Sequence, residues 1–286
     1  MTSIGEAVAW GTGELVRSGV ESAPLTAQLL LGHVLGRERV YILSHPEQPL
    51  DEACASSFVG LIRRRAAGEP HQYLVGAQEF YGRSFEVNPA VLIPRPETEI
   101  LVERAVTLAK EGGSAPRIVD VGTGSGCIAV TLACECPHAR IVATDISAGA
   151  LAVAARNARR HAVPSCVNFL AGNLLEPFAA RPLFDLVLSN PPYVSIADAG
   201  TLSRTVVEHE PPTALFAGES GLEVIERLIP QARERLVPGG WLLMEIGMGQ
   251  ASAVCEIVFR QRFDLVDTLA DLQGIARCLV ARRAGA

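Results

Sequence analysis

Four consecutive residues, about two thirds of the way along the chain, suit the recognition of a planar –NH₂ group. They are Asn190, Pro191, Pro192 and Tyr193. The side-chain oxygen of Asn190 and the carbonyl oxygen of Pro191 can accept the two hydrogens, and the Tyr193 ring can lie against the planar face. These acceptors would hold the nitrogen in line with an electrophilic methyl group. We therefore assign Asn190, Pro191 and Tyr193 to catalysis and all four residues to substrate binding.

A glycine-rich segment follows an apolar strand pattern and comes directly before a helical one. Its spacing is G-x-G-x-G, and its residues are Gly122, Thr123, Gly124, Ser125 and Gly126. Glycines let the backbone turn sharply and approach a ligand closely. The dinucleotide fingerprint G-x-G-x-x-G would need glycine where Cys127 stands, and no G-K-[ST] phosphate loop is present. The segment predicts a binding loop for a ligand that is not a dinucleotide; a tight turn without a ligand is the alternative.

Asp145 stands at the carboxyl end of the next predicted strand. A carboxylate at that place in a β-α-β unit accepts hydrogen bonds from the hydroxyls of a ribose. Its alternative role is to cap the following helix, which Ser147 can also do. Because the dinucleotide spacing is missing, the glycine loop and Asp145 together favour S-adenosyl-L-methionine over NAD, with S-adenosyl-L-homocysteine as product. We add Asn190, which must approach the methyl group, to the cofactor-binding residues.

The elements that must position these groups alternate between strands and helices from residue 97 onward. Strands are predicted at 117–121, 140–145, 167–171, 184–189, 241–246, 263–269 and 277–282. Helices are predicted at 97–111, ending at Gly112 and Gly113, and at 127–136, 148–161, 221–236 and 249–260. The alternation predicts an α/β fold with a mostly parallel, doubly wound sheet. The two prolines take the chain out of this sheet at a carboxyl end, where ligands bind.

The N-terminal part of the chain has a different character. Residues 1–84 show helical periodicity, and Ser3 followed by Glu6 fits a capping box at the first helix. Residues 85–96 are rich in proline and alternate apolar positions, so we interpret them as a linker with a short β-hairpin. The expected division is therefore a small all-helical domain, this linker, and a catalytic domain at 97–286.

The composition excludes several classes of protein. The chain has 286 residues, of which 49% are hydrophobic and 20% charged, as in globular proteins. Its net charge of -6 gives no support to phosphate contacts, so we expect no direct nucleic-acid binding. Its seven cysteines follow no disulfide or zinc spacing, so we expect free thiols and no metal site. Neither a signal peptide nor a run of ~20 apolar residues is visible, which predicts a cytoplasmic protein without membrane contact.

The motifs together resemble a known family. Asn-Pro-Pro-Tyr after the fourth predicted strand is similar to the signature of enzymes that methylate adenine or amide nitrogens, and the rest resembles the PrmC/HemK family of protein-glutamine methyltransferases. The matching segments are Gly68 to Pro70, Gln72-Tyr73, Phe80 to Gly82, Leu92 to Glu99, Asp120 to Gly126, Asn190 to Tyr193, Glu210-Pro211, Ala214-Leu215 and Pro238 to Gly240.

This resemblance implies a fold, a substrate and a partner. The fold is a class I, Rossmann-like methyltransferase domain. The substrate is the glutamine in the Gly-Gly-Gln loop of peptide-chain release factors, and the helical N-terminal domain binds that protein. After the third strand the family usually has an acidic residue and an aromatic one near the adenine, whereas this chain has Asn173 and Leu174. Asn173 can still hydrogen-bond an adenine edge and Leu174 can cover the ring, so we assign both to cofactor binding.

Two other functions remain open on the residues alone. An adenine-N6 methyltransferase acting on DNA or RNA would use the same catalytic residues, but the acidic total and the lack of a basic target-recognition domain count against it. A catalytically silent methyltransferase-like binding protein is the second alternative, and the intact Asn190 and Asp145 count against it. We expect Glu208, His209 and Glu210 to form a solvated loop; lining the substrate entry is their less favoured role.

Overall fold

The computed structural model describes residues 1–112 and 115–285. Gly113, predicted above to end a helix, lies outside the described residues together with Ser114 and Ala286. The chain forms two compact units, each with a hydrophobic core of its own. The first comprises Met1–Ala77 and Ser203–His209, and the second comprises Gln78–Leu202 and the chain from Glu210 onward.

Helices make up the N-terminal segment of the first unit. They are α1 (Ile4–Arg17), α2 (Ala23–Leu35), α3 (Arg39–Ser44), α4 (Glu52–Ala66) and α5 (His71–Val75). The Ser3 hydroxyl caps α1 by accepting from the Glu6 N–H at 3.3 Å. The Glu6 carboxylate accepts from the N–H and hydroxyl of Thr2, both at 2.7 Å. Gly11 lets α1 approach α4, since a Cβ atom there would lie 2.7 Å from the Phe58 ring.

A β-hairpin follows, formed by β1 (Ala77–Phe80) and β2 (Arg83–Glu86). Its turn residues Tyr81 and Gly82 have φ angles of 52° and 67°, as two-residue hairpin turns require. The hairpin predicted within residues 85–96 is therefore wrong in its position. Only the end of β2 reaches that range, and three prolines there lack the N–H that a strand ladder needs.

The remaining elements alternate as predicted. They are α6 (Thr98–Glu111), β3 (Arg117–Val121), α7 (Cys127–Glu135), β4 (Arg140–Asp145), α8 (Ala148–Arg160), β5 (Val167–Ala171), β6 (Phe184–Ser189), β7 (Val194–Ser195), a 3-10 helix (Ala197–Thr201), α9 (Arg204–His209), α10 (Pro212–Leu215), β8 (Phe216–Gly218), α11 (Glu223–Arg235), β9 (Leu236–Glu245), α12 (Ala251–Arg260), β10 (Phe263–Ala270) and β11 (Ala276–Arg283). The short elements between β6 and α11 escaped sequence analysis, because segments this short carry no periodicity.

Among the described residues, seven strands form one sheet in the order β10-β11-β9-β6-β3-β4-β5. The five strands from β9 to β5 run parallel, and β11 is antiparallel to both β9 and β10. Successive residues of β3 face opposite sides of the sheet. Ile118 belongs to the core under α6 and α7, whereas Val119 belongs to the core under α11 and α12. The predicted doubly wound, mostly parallel sheet is thereby confirmed.

The path of the chain through the sheet creates a crevice. From β3 the chain moves outward through β4 and β5, and it then returns to β6 on the other side of β3. At such a reversal, the loops at the carboxyl ends of the two central strands separate and leave room for a ligand. The glycine loop after β3, Asp145 at the end of β4 and Asn190 after β6 therefore share one edge of the sheet.

Candidate active site

A cavity of about 420 Å³ lies at this edge, within the range of small-molecule sites. It brings together most of the residues that the sequence singled out. These are Gly122, Thr123, Gly124, Ser125, Asp145, Asn173, Leu174, Asn190 and Pro192. Further walls come from the segment before α6 and from the surroundings of α10. They include Ala90, Val91, Leu92, Pro94, Thr98, Pro211, Thr213 and Ala214.

The glycine loop has two glycines that are open to the cavity and a third that packs against a helix. The φ angles of Gly122, Gly124 and Gly126 are 73°, 55° and 81°. A Cβ atom on Gly122 or Gly124 would meet no heavy atom within 4 Å, whereas one on Gly126 would lie 3.0 Å from the Ala154 Cβ atom in α8. The first two glycines therefore leave room for a ligand, and the third allows α7 and α8 to pack closely.

Asp145 braces the glycine loop and faces the cavity. Its Oδ2 accepts from the Gly124 N–H at 2.9 Å, and its Oδ1 accepts from the Ser147 N–H at 2.8 Å. The Ser147 hydroxyl caps α8 by accepting from the Ala150 N–H at 3.1 Å. The capping role thus belongs to Ser147, and each Asp145 oxygen keeps a lone pair for a ligand hydroxyl.

Asp120, the last residue but one of β3, is completely buried beneath the glycine loop. The Thr123 hydroxyl donates to its Oδ2 at 2.6 Å, and its Oδ1 has no hydrogen-bond partner in the described part of the chain. Burial raises the pKa of Asp120 to about 7, while the hydrogen bond from Thr123 acts in the opposite direction. From the sequence alone, Asp120 stood out only as the first residue of the Asp120 to Gly126 segment. A carboxylate inside an otherwise apolar strand was the available signal.

Asn173 and Leu174 line the cavity beyond the end of β5. Leu174 adopts a φ angle of 53°, and its carbonyl oxygen accepts from the Thr144 hydroxyl at 3.2 Å. The Asn173 Nδ2 donates to Glu176 Oε1 at 2.9 Å. A ligand near this loop would therefore meet an amide and an aliphatic side chain, where the resembled family usually offers an acidic and an aromatic one.

The Asn190 segment is divided between the cavity and the protein interior. Asn190 and Pro192 line the cavity, whereas Pro191 and Tyr193 are not among its described lining residues. The Tyr193 ring packs against the core under α11 and α12, and its hydroxyl donates to Glu245 Oε1 at 3.2 Å. Burial, followed by the Glu245 carboxylate, raises the pKa of Tyr193. The Tyr193 hydroxyl is thus engaged by Glu245, while its ring packs on the core beside the cavity.

Glu210 is buried and does not belong to a solvated loop, so that expectation is wrong for this residue. Only 3% of Glu210 is exposed; it accepts from the Ile93 N–H at 3.2 Å and pairs with Arg95. The ion pair and the N–H offset the cost of burying its charge. It thereby ties the segment before α6 to the chain entering α10, and both segments contribute cavity walls. Glu208, in contrast, forms an exposed pair with Arg204.

Residues 1–112 and 115–285 contain no group of three His, Cys, Asp or Glu side chains able to hold a metal ion. No helix among those residues is both long and apolar enough to cross a membrane. The seven cysteines are free thiols.

Known structures share this architecture. The chain is similar to a methyltransferase from Pyrococcus furiosus, with a TM-score of 0.52 and 18% identity over 72% of this chain and 91% of that one. It is also similar to a ribosomal protein L11 methylase from Lactobacillus delbrueckii subsp. bulgaricus. Here the TM-score is 0.51 and the identity 19%, over 72% of this chain and 90% of that one. A family model described as methyltransferase small domain matches residues 96–210. The chain thus has the fold of a class I, Rossmann-like methyltransferase.

Sequence relatives narrow this class. A family model described as PrmC N-terminal domain matches residues 6–76. The release factor glutamine methyltransferase of Geobacter sulfurreducens is 43% identical, over 96% of this chain and 94% of that protein. The protein of the same name from Koribacter versatilis is 45% identical, over 92% of each chain. The chain belongs to the family of release factor glutamine methyltransferases.

Proposed function

We propose that this protein transfers the methyl group of S-adenosyl-L-methionine to the side-chain amide nitrogen of the glutamine in the Gly-Gly-Gln motif of release factors. The observation that carries the proposal is that Asn190 shares one cavity with the glycine loop and Asp145. A methyl donor held by the loop and an amide held by Asn190 would meet inside that cavity. The family supports glutamine as the acceptor. A release factor substrate also implies a cytoplasmic enzyme.

The cofactor end of the cavity fits S-adenosyl-L-methionine. Gly122 and Gly124 leave open space where side chains would otherwise stand. Asp145 offers a free lone pair on each oxygen to the ribose hydroxyls, since one hydrogen bond occupies each oxygen already. We assign Asn173 and Leu174 to the adenine. The bound sulfonium supplies the electrophilic methyl group and leaves as S-adenosyl-L-homocysteine.

At the substrate end, Asn190 acts by orientation. Its Nδ2 donates to the Thr98 hydroxyl at 3.1 Å, so its Oδ1 can accept one N–H of the substrate amide. We assign the second N–H to the Pro191 carbonyl oxygen and a wall contact to Pro192. The hydrogen bond to Asn190 strengthens as charge develops on the nitrogen, which lowers the barrier. No ionisable side chain is needed before the transfer, because the surplus proton can leave afterwards to water.

We assign recognition of the release factor to the helical N-terminal domain. Three consecutive arginines end α4, and two of them make contacts within the domain. Arg64 forms an ion pair with Glu69, and Arg65 donates to the Glu69 carbonyl oxygen at 3.1 Å. Of the three arginines, only Arg63 remains as a candidate for contact with another molecule. The segment therefore does not favour a phosphate-binding role, in keeping with a protein substrate.

The test is transfer of a labelled methyl group from S-adenosyl-L-methionine to a purified release factor. DNA and RNA of matched concentration serve as alternative acceptors, and a release factor with the motif glutamine replaced by glutamate serves as the substrate control. We expect label in the intact release factor alone. Label in nucleic acid would favour the adenine-N6 alternative, and no transfer with measurable cofactor binding would favour a catalytically silent protein.

A further inference from the structure

Glu245 is a buried carboxylate that the proposed transfer does not use. It ends β9, is 2% exposed, and is absent from the described lining of the cavity. The Thr98 hydroxyl donates to its Oε2 at 2.5 Å, and the Tyr193 hydroxyl donates to its Oε1 at 3.2 Å. Burial of a carboxylate costs free energy that such hydrogen bonds only offset. Stability alone therefore gives no reason for a glutamate at this position.

Thr98 connects this carboxylate to the cavity. It begins α6 and lines the cavity, and its hydroxyl oxygen accepts from the Nδ2 of Asn190 at 3.1 Å. A hydroxyl has a single hydrogen to donate. Because that hydrogen points to Glu245, only lone pairs remain for Asn190, and its amide must turn the –NH₂ group toward Thr98. The Oδ1 of Asn190 is then the atom left for a substrate.

We propose that Glu245 is a positioning residue: through Thr98 it selects the orientation of the Asn190 amide that presents Oδ1 to the substrate N–H. This inference rests on the proposed function. Without an acceptor at position 245, the Thr98 hydroxyl can donate to Asn190 and stabilise the amide turned by half a rotation. The –NH₂ group of Asn190 would then face the N–H groups of the substrate, and the acceptor at the reacting nitrogen would be lost.

The role requires an oxygen acceptor at Oε2 and not a charge. The pKa of Glu245 lies above its ordinary value because burial raises it. The hydrogen bonds from Thr98 and Tyr193 oppose this shift without cancelling it. A proton carried on Oε1 could be donated to the Tyr193 hydroxyl, which can also accept. With the proton on Oε1, the Oε2 atom still accepts from Thr98, so this protonated form orients Asn190 in the same way as the carboxylate. A glutamine at position 245 can reproduce this arrangement, whereas a methionine cannot.

The experiment compares single-turnover methylation of the release factor by paired variants. Glu245→Met removes the acceptor, and Thr98→Val removes the hydroxyl. We expect each variant to lower the methylation rate about tenfold. Glu245→Gln keeps an oxygen acceptor, and Thr98→Ser keeps the hydroxyl. We expect both variants to have rates within about threefold of the wild type. The Kd for S-adenosyl-L-methionine should stay within about twofold throughout, because the cofactor end is untouched. Glu256→Met, at a side chain 77% exposed on α12, is the matched control with an unchanged rate.

Coupling to Asn190 separates positioning from a structural role. In an Asn190→Ala background no amide remains to be oriented, so Glu245→Met should cause no further loss. A second tenfold loss there would overturn the inference. Equal losses in Glu245→Gln and Glu245→Met would also overturn it, since they would indicate a need for charge.

The outcomes also distinguish this inference from the proposed function. A wild-type protein that does not methylate the release factor overturns the proposed function. An active wild type whose rate is unchanged by Glu245→Met overturns the inference alone. Thermal melts check that each variant is folded. If Glu245→Met does not fold, the comparison of Thr98→Val with Thr98→Ser tests the inference instead.

Discussion

The two ends of the cavity are held in different ways. At the proposed cofactor end, Asp145 at the end of β4 braces Gly124 in the loop after β3 through a backbone N–H, and the two residues are only 21 positions apart. At the substrate end, Asn190 bonds Thr98 and Thr98 bonds Glu245 through side chains that are 92 and 147 positions apart. The glycine loop is thus braced within one β-α-β unit, whereas the orientation of the Asn190 amide depends on elements from the whole domain.

This difference predicts a separation of effects. Substitutions at the proposed cofactor end should change the affinity for S-adenosyl-L-methionine, because we assign to these groups the contacts made before any reaction. Substitutions at the substrate end should change the rate of transfer, because a hydrogen bond to the reacting nitrogen matters most in the transition state. A variant at one end that changes only the property assigned to the other end would contradict this separation.

The largest effect is expected for Asn190→Ala. It removes the acceptor for the substrate N–H and leaves the glycine loop in place, so kcat should fall by on the order of 10²–10³ with little change in cofactor affinity. Single-turnover methylation with saturating cofactor and release factor measures the rate. Asn168→Ala, at an exposed position of β5, is the control. A rate within about threefold of the wild type would remove Asn190 from the mechanism.

Gly124→Val should affect binding instead. The φ angle of 55° disfavours a branched residue, and the added side chain would project into the open cavity. We expect the affinity for S-adenosyl-L-methionine to fall by about 100-fold or more by titration calorimetry, with an unchanged circular dichroism spectrum. Gly60→Val, at an exposed site of α4 where a Cβ also meets open space, is the control. Normal binding by Gly124→Val would place the cofactor elsewhere.

Asp145→Ala should weaken cofactor binding by about 1.5–3 kcal/mol, the range for hydrogen bonds to a charged group. Asp145→Asn keeps one acceptor oxygen, so its loss should be smaller. The rate at saturating cofactor should change little in both variants, which sharpens the separation between the two ends. Unaltered calorimetric affinity in Asp145→Ala would show that the carboxylate only braces the Gly124 loop.

The smallest expected effect concerns stability. The pKa of Asp120 rises from 3.8 to about 7 in the folded protein, so the folded state binds this proton more tightly than the unfolded chain. Its contribution to stability is therefore complete below pH 3.8 and is lost as pH rises through 7. Asp120→Asn stays neutral and should lose this dependence.

Urea unfolding of the wild type and of Asp120→Asn measures the contribution of Asp120 to stability. The free energy of unfolding of Asp120→Asn relative to the wild type should rise by about 2 kcal/mol between about pH 5 and about pH 8. Asp264→Asn, at an exposed position of β10, is the control and should show no such change. A constant difference between Asp120→Asn and wild type across this range would contradict a raised pKa.

Much of the fold was predictable because its elements are long and periodic. The parallel strands and the main helices of the second unit were located from apolar patterns of five or more residues. The hairpin was misplaced because apolar alternation around residues 85–93 reflects burial of an irregular segment rather than strand pairing. The short elements between β6 and α11 depend on packing that no local pattern records.

The site was predictable to the extent that its groups follow strand ends. Asp145 and Asn190 were located in this way, and the structure places both on the cavity. Glu210 was not, because its position depends on Arg95, which is remote in sequence. Nothing in the sequence indicated that the Tyr193 hydroxyl would donate to Glu245. Which partner a polar side chain meets is decided by the packing of distant elements and leaves no trace in its own neighbourhood.

The sequence by itself determined where the chain turns from helix to strand, where its glycines permit a ligand, and which strand ends carry a carboxylate and an amide. These properties follow from local conformational preference and periodicity. Only the tertiary structure decided that the Tyr193 hydroxyl donates to Glu245, that Asp120 lies buried beneath the glycine loop, and that Thr98 and Glu245 stand behind Asn190. Hydrogen-bond direction and burial arise from contacts between segments far apart in the chain, so they exist only once the sheet and its helices have assembled.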